Sequence, residues 1–496
     1  MIAPAALLVL AIILPAAGVV LALAAGGRGA ERVAMAVIAG GAAIALAIAG
    51  TLWNTGAPLS YTVGGWAPPL GIALRADGLS AFMLLTSALV IGAIGLFARA
   101  TYVQPAGTPE RRAPLVFWIM LMGVWTGLNA VWLAGDLFSL YVALELLTFS
   151  AVPLVSLEGK PETLAAALRY MLFALIGSIL YLLGCALLYG GYGTLDIVLL
   201  SHLARPEPVV FVALALMTAG LAAKTALFPL HLWLPPAHAG APAAASALLS
   251  ALVVKGSFIL TVRLWFDALP GIAGGGAAQF MAALGSAAII AGSVLALRQA
   301  RLKLMIAYST VAQIGYLFFL FPLAGAAGDW ERLAWTGGIM QLVAHAVAKA
   351  AMFMAAGLIG EALGHDRIAG FAGLGRSLPV VMFAFGLAGM SLMGLPPSGG
   401  FVAKAMLLTA SIGEGQWWWA VVIMIGGLLA AGYMFRVLTP ALAGGAAPVI
   451  LAARVSRPRQ AVVLGLAICA LLLGLMPLRP SALLEVGRTM QAAEVR

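Results

Sequence analysis

Six ionisable side chains lie in the middle of long apolar stretches of this sequence, where a charge is costly to bury. They are Glu145, Lys224, Lys255, His345, Lys349 and Lys404. In a membrane-spanning segment such a residue costs roughly 2.5–3.5 kcal/mol on insertion scales, so it is retained for a function or a fixed pairing. His345 and Lys349 are four residues apart, which places them on one face of a helix.

This set contains four lysines and a single acid, so static ion pairs cannot account for all of its members. Burial favours the neutral form of a lysine, and a buried lysine can therefore release and accept a proton. A row of such lysines predicts a proton relay. Glu145 is the natural partner of Lys224, and opening that pair would push the Lys224 proton onward. The alternative is that each charge forms a structural ion pair or reaches an interface, as we expect for Arg263 and Arg436 near span ends.

Two further histidines, His231 and His238, flank the connection after Lys224. They are candidate proton donors at a mouth of the relay, or else they pack in the loop. With no carboxylate or thiol nearby in the sequence they make a poor metal site, and we predict no metal. The sequence shows no phosphate-binding loop, dinucleotide fingerprint, cysteine cluster or haem motif. We therefore expect no bound cofactor and no redox chemistry in this chain. Whether it is a subunit of an enzyme complex stays open. The energy for any ion transport must come from a partner or an ion gradient.

The composition explains what positions these residues. Of 496 residues, 63% are hydrophobic and 9% are charged, against about 25% charged in a soluble domain. Backbone groups in lipid must bond internally, and the apolar runs do not alternate as barrel strands would, so the runs are helices. The net charge of +10 comes from residues in short loops that form no stripe, and we expect no nucleic-acid partner. The fold class predicted is an all-α polytopic membrane protein.

Apolar runs of about twenty residues, the length that crosses a bilayer core of about 30 Å, predict about fourteen transmembrane helices. The predicted spans are 2–24, 31–53, 77–98, 113–133, 135–157, 162–190, 208–232, 242–266, 276–297, 304–325, 333–362, 379–411, 417–440 and 460–478.

Basic residues concentrate in alternate loops. Those after odd-numbered helices are Arg28, Arg32, Arg99, Arg111, Arg112, Lys160, Arg298, Arg301, Lys303, Arg367, Arg376, Arg454, Arg457 and Arg459. Loops after even-numbered helices hold mainly Arg75, Arg205 and Arg332, and the tail carries Arg479, Arg488 and Arg496 as a mild exception. The positive-inside rule places the first group in the cytoplasm. We therefore predict a multi-pass protein of the inner (plasma) membrane with both termini on the outer face.

Prolines interrupt the seventh and twelfth helices, in the stretches 222–229 and 394–400. Interrupted helices in corresponding positions of two halves are typical of inverted repeats with ion sites near the midplane. This predicts two inverted five-helix repeats, helices 4–8 and 9–13. The predicted divisions are 1–112 for helices 1–3, 113–270 for the first repeat, 271–442 for the second, and 443–496 for helix 14 and the tail.

Several stretches resemble the antiporter-like subunits shared by respiratory complex I, membrane-bound hydrogenases and Mrp-type sodium/proton antiporters. The stretches are 224–242 with 246–248 and Lys255 after it, 307–316, 345–350 and 394–401, and the likeness extends over about 60–440. The resemblance implies that Glu145 and Lys224 are an input pair. It also implies that Lys255, His345 and Lys349 are a central relay and that Lys404 is an exit site. Further implications are association with other membrane subunits and no cofactor.

Within that family, residues 64–71 before 77–81 look like the branch that holds the Mrp D-type subunit and the hydrogenase subunits. A lysine at 404, where one complex I branch has glutamate, argues against that branch, and the short chain after helix 14 argues against the most distal complex I role. Sodium prefers oxygen ligands, and acids are scarce here, so we expect protons in this chain and any sodium elsewhere in the complex. Two alternatives remain: a stand-alone transporter of a small solute and an inert membrane anchor.

Overall fold

The chain folds almost entirely into α-helices, as its composition predicts. The computed structural model describes residues 4–102, 112–325, 329–443, 448–475 and 480–488. Three residues of the predicted loop-charge pattern, Arg111, Arg479 and Arg496, lie outside the described residues.

The α-helices of the described residues run in chain order. They are α1 Ala6–Thr55, α2 Gly78–Arg99, α3 Arg112–Leu133, α4 Leu137–Val155, α5 Pro161–Tyr192, α6 Ile197–Leu203, α7 Pro208–Thr225, α8 Leu234–Gly240, α9 Ala243–Leu248, α10 Val254–Val262, α11 Gly275–Leu297, α12 Leu302–Gly315, α13 Leu320–Leu323, α14 Asp329–Leu363, α15 Leu374–Ser377, α16 Pro379–Met393, α17 Gly399–Gly413, α18 Trp417–Leu442, α19 Arg457–Leu475 and α20 Pro480–Leu484. A hairpin of β1 Leu59–Thr62 and β2 Ala73–Ala76, paired antiparallel with Leu59 opposite Ala76, separates α1 from α2.

Twelve of the described helical segments are long and apolar enough to cross a membrane, and α16 and α17 are shorter apolar helices. The first segment, α1, has 50 residues and is about 75 Å long, too long for a single crossing. Gly26 breaks its helical geometry with φ 69° and ψ −177°, a conformation essentially confined to glycine. Taking α1 as two spans and α16 with α17 as one broken span gives fourteen, and that number of crossings stays a prediction.

Both predicted interruptions are confirmed. Helix α7 ends at Thr225, Ala226 takes a left-handed φ of 59°, and the Phe228–Pro229 peptide bond is cis. Helix α16 ends at Met393, Gly394 follows with φ 81°, and α17 begins after Ser398. The Ser398 side chain accepts a hydrogen bond from the Phe401 N–H and so caps the new helix. Each break therefore leaves a short non-helical segment inside an apolar span.

Helix α14 is the central element of the second half. It packs against α9, α16, α17 and α19, and every residue from 334 to 356 is buried. The neighbouring segment of α9 and α10 is buried to the same degree. These two elements carry Lys255, His345 and Lys349, so the structure places the predicted central relay in its most enclosed region.

Two isolated backbone bridges occur at corresponding places of the two halves. Asp136, just before α4, pairs with Asp196, just before α6; Arg301, just before α12, pairs with Arg367, shortly before α15. The two bridges lie five predicted spans apart, which supports the repeat hypothesis. The inverted repeats and the four-part division of the chain stay predictions.

Candidate functional site

Glu145 and Lys224 form a buried ion pair across α4 and α7, as the sequence predicted. Lys224 Nζ lies 2.7 Å from Glu145 Oε1 and 3.3 Å from Thr148 Oγ1. The Ser178 hydroxyl of α5 donates to the same Glu145 oxygen. Their side chains are 6% and 14% exposed for Lys224 and Glu145, which makes this pair far better shielded than a surface salt bridge. The pair is thus held by one carboxylate and two hydroxyls.

Lys255 lies at the start of α10, directly after a π-helical turn over Leu249–Val253. In that turn the Val254 N–H bonds to Leu249 O rather than to Ser250 O, its acceptor in a regular α-helix. The Lys255 ammonium donates to the Ser250 carbonyl instead. Lys255 is fully buried, and among the described residues no carboxylate lies within ion-pair distance of it. The π-turn therefore supplies an oxygen where the sequence offers no acid.

Lys349 on α14 is held in the same way. Its Nζ donates to Ile306 O at 2.9 Å and to the Ser309 hydroxyl, both on α12. His345, one turn earlier, is 1% exposed, and neither of its ring nitrogens has a hydrogen-bond partner in the described part of the chain. Lys255, Lys349 and Lys404 all lie within electrostatic range of that ring. The structure thus places the His345 ring within electrostatic range of three lysines.

Lys404 follows the second break. Its Nζ donates to Leu392 O of α16 at 2.6 Å and lies 4.3 Å from the centre of the Tyr316 ring. A Cβ at Gly394 would come within 2.8 Å of Lys404 Cδ, so the glycine of the break also makes room for this side chain. Lys404 is therefore positioned by the interrupted backbone and an aromatic face, with no acid of the described residues beside it.

The two histidines of the connection differ in their surroundings. His238 is fully buried, stacks on Phe353 with 4.6 Å between ring centres, and lies within electrostatic range of Lys255, Lys303 and Lys349. His231 stacks on Phe228, and none of the relay lysines is among the groups that influence its ring electrostatically. Only His238 is thus placed near the central lysines, and the mouth role predicted for both histidines stays a prediction.

A small cavity separates the input pair from the central lysines. It is lined by Thr148 and Lys224 on one side and by Val253 and Ser257 on the other, with a volume of about 10 Å³. That volume is at the lower limit for one water molecule. Beside it, the Thr225 and Ser257 hydroxyls are 2.8 Å apart. Lys224 therefore faces α10 across a very small void whose lining is mainly apolar, with the Thr148 and Ser257 side chains among its hydroxyl groups.

Sequence reasoning missed the uncharged polar groups of this region. Gln341 Nε2 donates to Gln313 Oε1 at 3.1 Å, and Gln313 Nε2 donates to Leu392 O at 3.0 Å, the carbonyl that also accepts from Lys404. Both glutamines are buried in helices that carry relay residues or pack against them. The signal that could have revealed them is the position of two amides in the middle of apolar spans.

Arg263, expected to reach an interface near a span end, forms ion pairs whose partners the sequence did not reveal. It is largely buried and bonds to both carboxylate oxygens of Asp77, with Arg263 Nη2 2.7 Å from Asp77 Oδ1, and to Asp267 Oδ2 at 2.7 Å. Burial would raise the pKa of Asp77, but the neighbouring guanidinium holds that pKa below its ordinary value. The partners come from a helix cap and from the same helix, which charge spacing alone did not reveal.

Comparison with known proteins agrees with this architecture. A family model described as "NADH:quinone oxidoreductase/Mrp antiporter, TM" matches residues 134–430. NADH-quinone oxidoreductase subunit N of Desulforudis audaxviator is 36% identical over 418 residues, which cover 83% of this chain and 80% of that protein. The D subunit of a Na(+)/H(+) antiporter from Bacillus subtilis is 28% identical over 391 residues, covering 78% and 76%.

Among solved structures, a chain of the Mrp complex from Dietzia sp. DQ12-45-1b superposes with a TM-score of 0.87 at 26% identity, covering 99% of both chains. The chain belongs to the NADH:quinone oxidoreductase/Mrp antiporter transmembrane family. It is a multi-pass membrane protein of the antiporter-like type found in complex I-like and Mrp complexes.

Proposed function

We propose that this chain conducts protons within a multisubunit membrane complex, along a relay of six residues. Glu145 and Lys224 are the input pair, Lys255, His345 and Lys349 form the centre, and Lys404 is the exit site. The observation that carries the proposal is that Lys255 and Lys349, both fully buried, are held by carbonyl and hydroxyl oxygens instead of by carboxylates.

That arrangement suits a transient charge. An uncompensated ammonium in a dry core is expensive, so a purely structural lysine would be expected to have an acid beside it. Carbonyl and hydroxyl oxygens accept hydrogen bonds from an ammonium, but they carry no negative charge that would keep the lysine protonated. Of the relay lysines, only Lys224 has a carboxylate of the described residues in contact, which gives the relay one end where a charge is stable at rest.

The relatives suggest the setting. One is named a subunit of an NADH-quinone oxidoreductase and another a subunit of a Na(+)/H(+) antiporter. We propose that other membrane subunits surround this chain, that any sodium path lies outside it, and that it resides in the plasma membrane with both termini outside. A reporter near Arg454 should then be cytoplasmic and one near Asp267 external; finding both on one side would refute the orientation.

The test of the function is proton uptake by vesicles that contain the purified complex. Lys349→Met should remove most of the uptake while the other subunits still copurify. Arg436→Gln is the matched control, because Arg436 is a charged residue of a membrane helix whose side chain is exposed and bonds to Leu297 O outside the relay. Wild-type uptake in an assembled Lys349→Met complex would contradict the proposal.

A further inference from the structure

A cluster of hydroxyl groups lies between the surroundings of Lys349 and those of Lys255. Lys349 Nζ, Ser309 Oγ and Thr310 Oγ1 all converge on the Ile306 carbonyl, at 2.9, 2.8 and 3.0 Å. The Lys349 ammonium also donates to the Ser309 hydroxyl itself. Three groups on one acceptor place the two hydroxyls beside the ammonium.

The cluster extends to the other lysine. Thr310 Oγ1 is 2.9 Å from Ser250 Oγ, and either oxygen can be the donor. Ser250 is the residue whose carbonyl, released by the π-turn, accepts from Lys255. Single π-turns within α-helices occur frequently at functional sites. The contact between α12 and the π-turn thus joins the surroundings of the two lysines.

We infer that Ser250, Ser309 and Thr310, here called the hydroxyl bridge, carry protons between Lys349 and Lys255. All three side chains are buried, so the bridge is shielded from bulk solvent. A hydroxyl both donates and accepts a hydrogen bond, whereas the carbonyl oxygens beside it can only accept. This inference rests on the proposed function, because it specifies how two members of that relay exchange a proton.

In one transfer the N–H bond of the Lys349 ammonium breaks and its proton joins the Ser309 oxygen. The Ser309 hydroxyl turns from Ile306 O toward Thr310 Oγ1 and passes on its own proton, and Thr310 passes its proton to Ser250 Oγ. The Ser250 hydroxyl then turns toward the amine of Lys255, which rests on the carbonyl of the same serine, and that amine takes the last proton. Lys349 ends neutral, Lys255 ends charged, and the hydroxyls are regenerated with their hydrogen bonds reversed. The Thr310 hydroxyl can turn between Ile306 O and Ser250 Oγ, which permits that reversal.

His345 offers a competing route between the same lysines. Its ring lies near both, but neither ring nitrogen contacts a described residue by a hydrogen bond. The hydroxyl bridge, in contrast, contacts the Lys349 ammonium directly through Ser309, and another of its residues, Ser250, holds Lys255 through its backbone carbonyl. The two routes predict different mutational results.

The test compares Thr310→Val with Thr310→Ser in the intact complex, by proton uptake in H₂O and in D₂O. Valine keeps the shape of threonine and removes the hydroxyl, so uptake should fall about tenfold or more, since a positioned proton-transfer group typically contributes about 10²–10⁴-fold. Serine should restore most of the rate and its solvent isotope effect. Thr126→Val is the control, because the Thr126 hydroxyl is buried and, within the described part of the chain, bonds to Met122 O of its own helix alone.

A Thr310→Val complex that transports at the wild-type rate would overturn the hydroxyl bridge, and so would equal losses in Thr310→Val and Thr310→Ser, which indicate a packing role. A triple variant, Ser250→Ala with Ser309→Ala and Thr310→Val, should transport more slowly still. If this complex does not assemble, the comparison of Thr310→Val with Thr310→Ser is the deciding test. The Lys349→Met variant distinguishes failure of the hydroxyl bridge from failure of the proposed function. If Lys349→Met is inactive while Thr310→Val transports normally, only the hydroxyl bridge is refuted. Normal uptake in Lys349→Met would instead refute the proposed function.

Discussion

Replacement of Lys404 by arginine tests the exit site most directly. In the structure the Lys404 ammonium has one hydrogen bond to Leu392 O, worth about 1.5–3 kcal/mol for a charged donor, and the Tyr316 ring, worth about 2 kcal/mol when desolvated. The effective penalty for burying an ion is several kcal/mol. These contributions are of similar size, so the contacts can hold the ammonium in the buried site, and the exit assignment requires in addition that the side chain releases its proton.

Arginine can make the same contacts but does not release its proton in a protein. We therefore expect Lys404→Arg to lower proton uptake about 100-fold or more, the range lost with a proton-transfer group. Lys404→Glu should retain a measurable part, because a carboxylate also titrates. Lys160→Arg is the control, since Lys160 is 64% exposed and only pairs with Glu158. Full activity in Lys404→Arg would show that this lysine is not a titrating group, and the exit assignment would be wrong.

Three other predictions concern the same assay and the breaks that shape the relay. Glu145→Gln and Lys224→Ala should each abolish most uptake in an assembled complex, because each removes one half of the input pair; normal uptake in either would exclude that role. Lys349→Met should reduce uptake more than His345→Gln, since water can partly replace a neutral imidazole; wild-type rates in both would mean that this face only packs. Gly394→Ala should cost about 1–3 kcal/mol of stability, because alanine is strained at φ 81° and its Cβ would press on a neighbouring side chain; an unchanged melting temperature would contradict this.

The sequence predicted the membrane class, the broken helices and the Glu145–Lys224 pair, because each depends on a strong local signal. Apolar runs define helices in lipid, proline interrupts them, and a single buried acid has few partners to choose from. The same reasoning brought His345 and Lys349 onto one helix face, which spacing alone decides. These features required no knowledge of how distant helices pack.

What could not be predicted depends on contacts between helices. Serine and threonine in apolar helices usually bond to their own backbone, as Thr261 does here to Ser257 O, so a hydroxyl in the sequence does not reveal whether it faces a lysine. The π-turn before Lys255 leaves no clear mark in an apolar run. The ion pair of Arg263 could not be predicted for the same reason, since its partner Asp77 is 186 residues away.

The two broken helices place their lysines differently. Lys224 comes just before its break, at the end of α7, and Lys404 comes after its break, within α17. The Lys224 ammonium contacts a carboxylate, whereas that of Lys404 contacts a carbonyl and an aromatic ring. If the helices correspond by an internal repeat, the repeat has kept the interruption and changed the charge balance beside it. In the proposed relay, such an inequality would give one end that holds a charge at rest and another that holds it only in passing, whereas a path with two equal ends would have no such resting state.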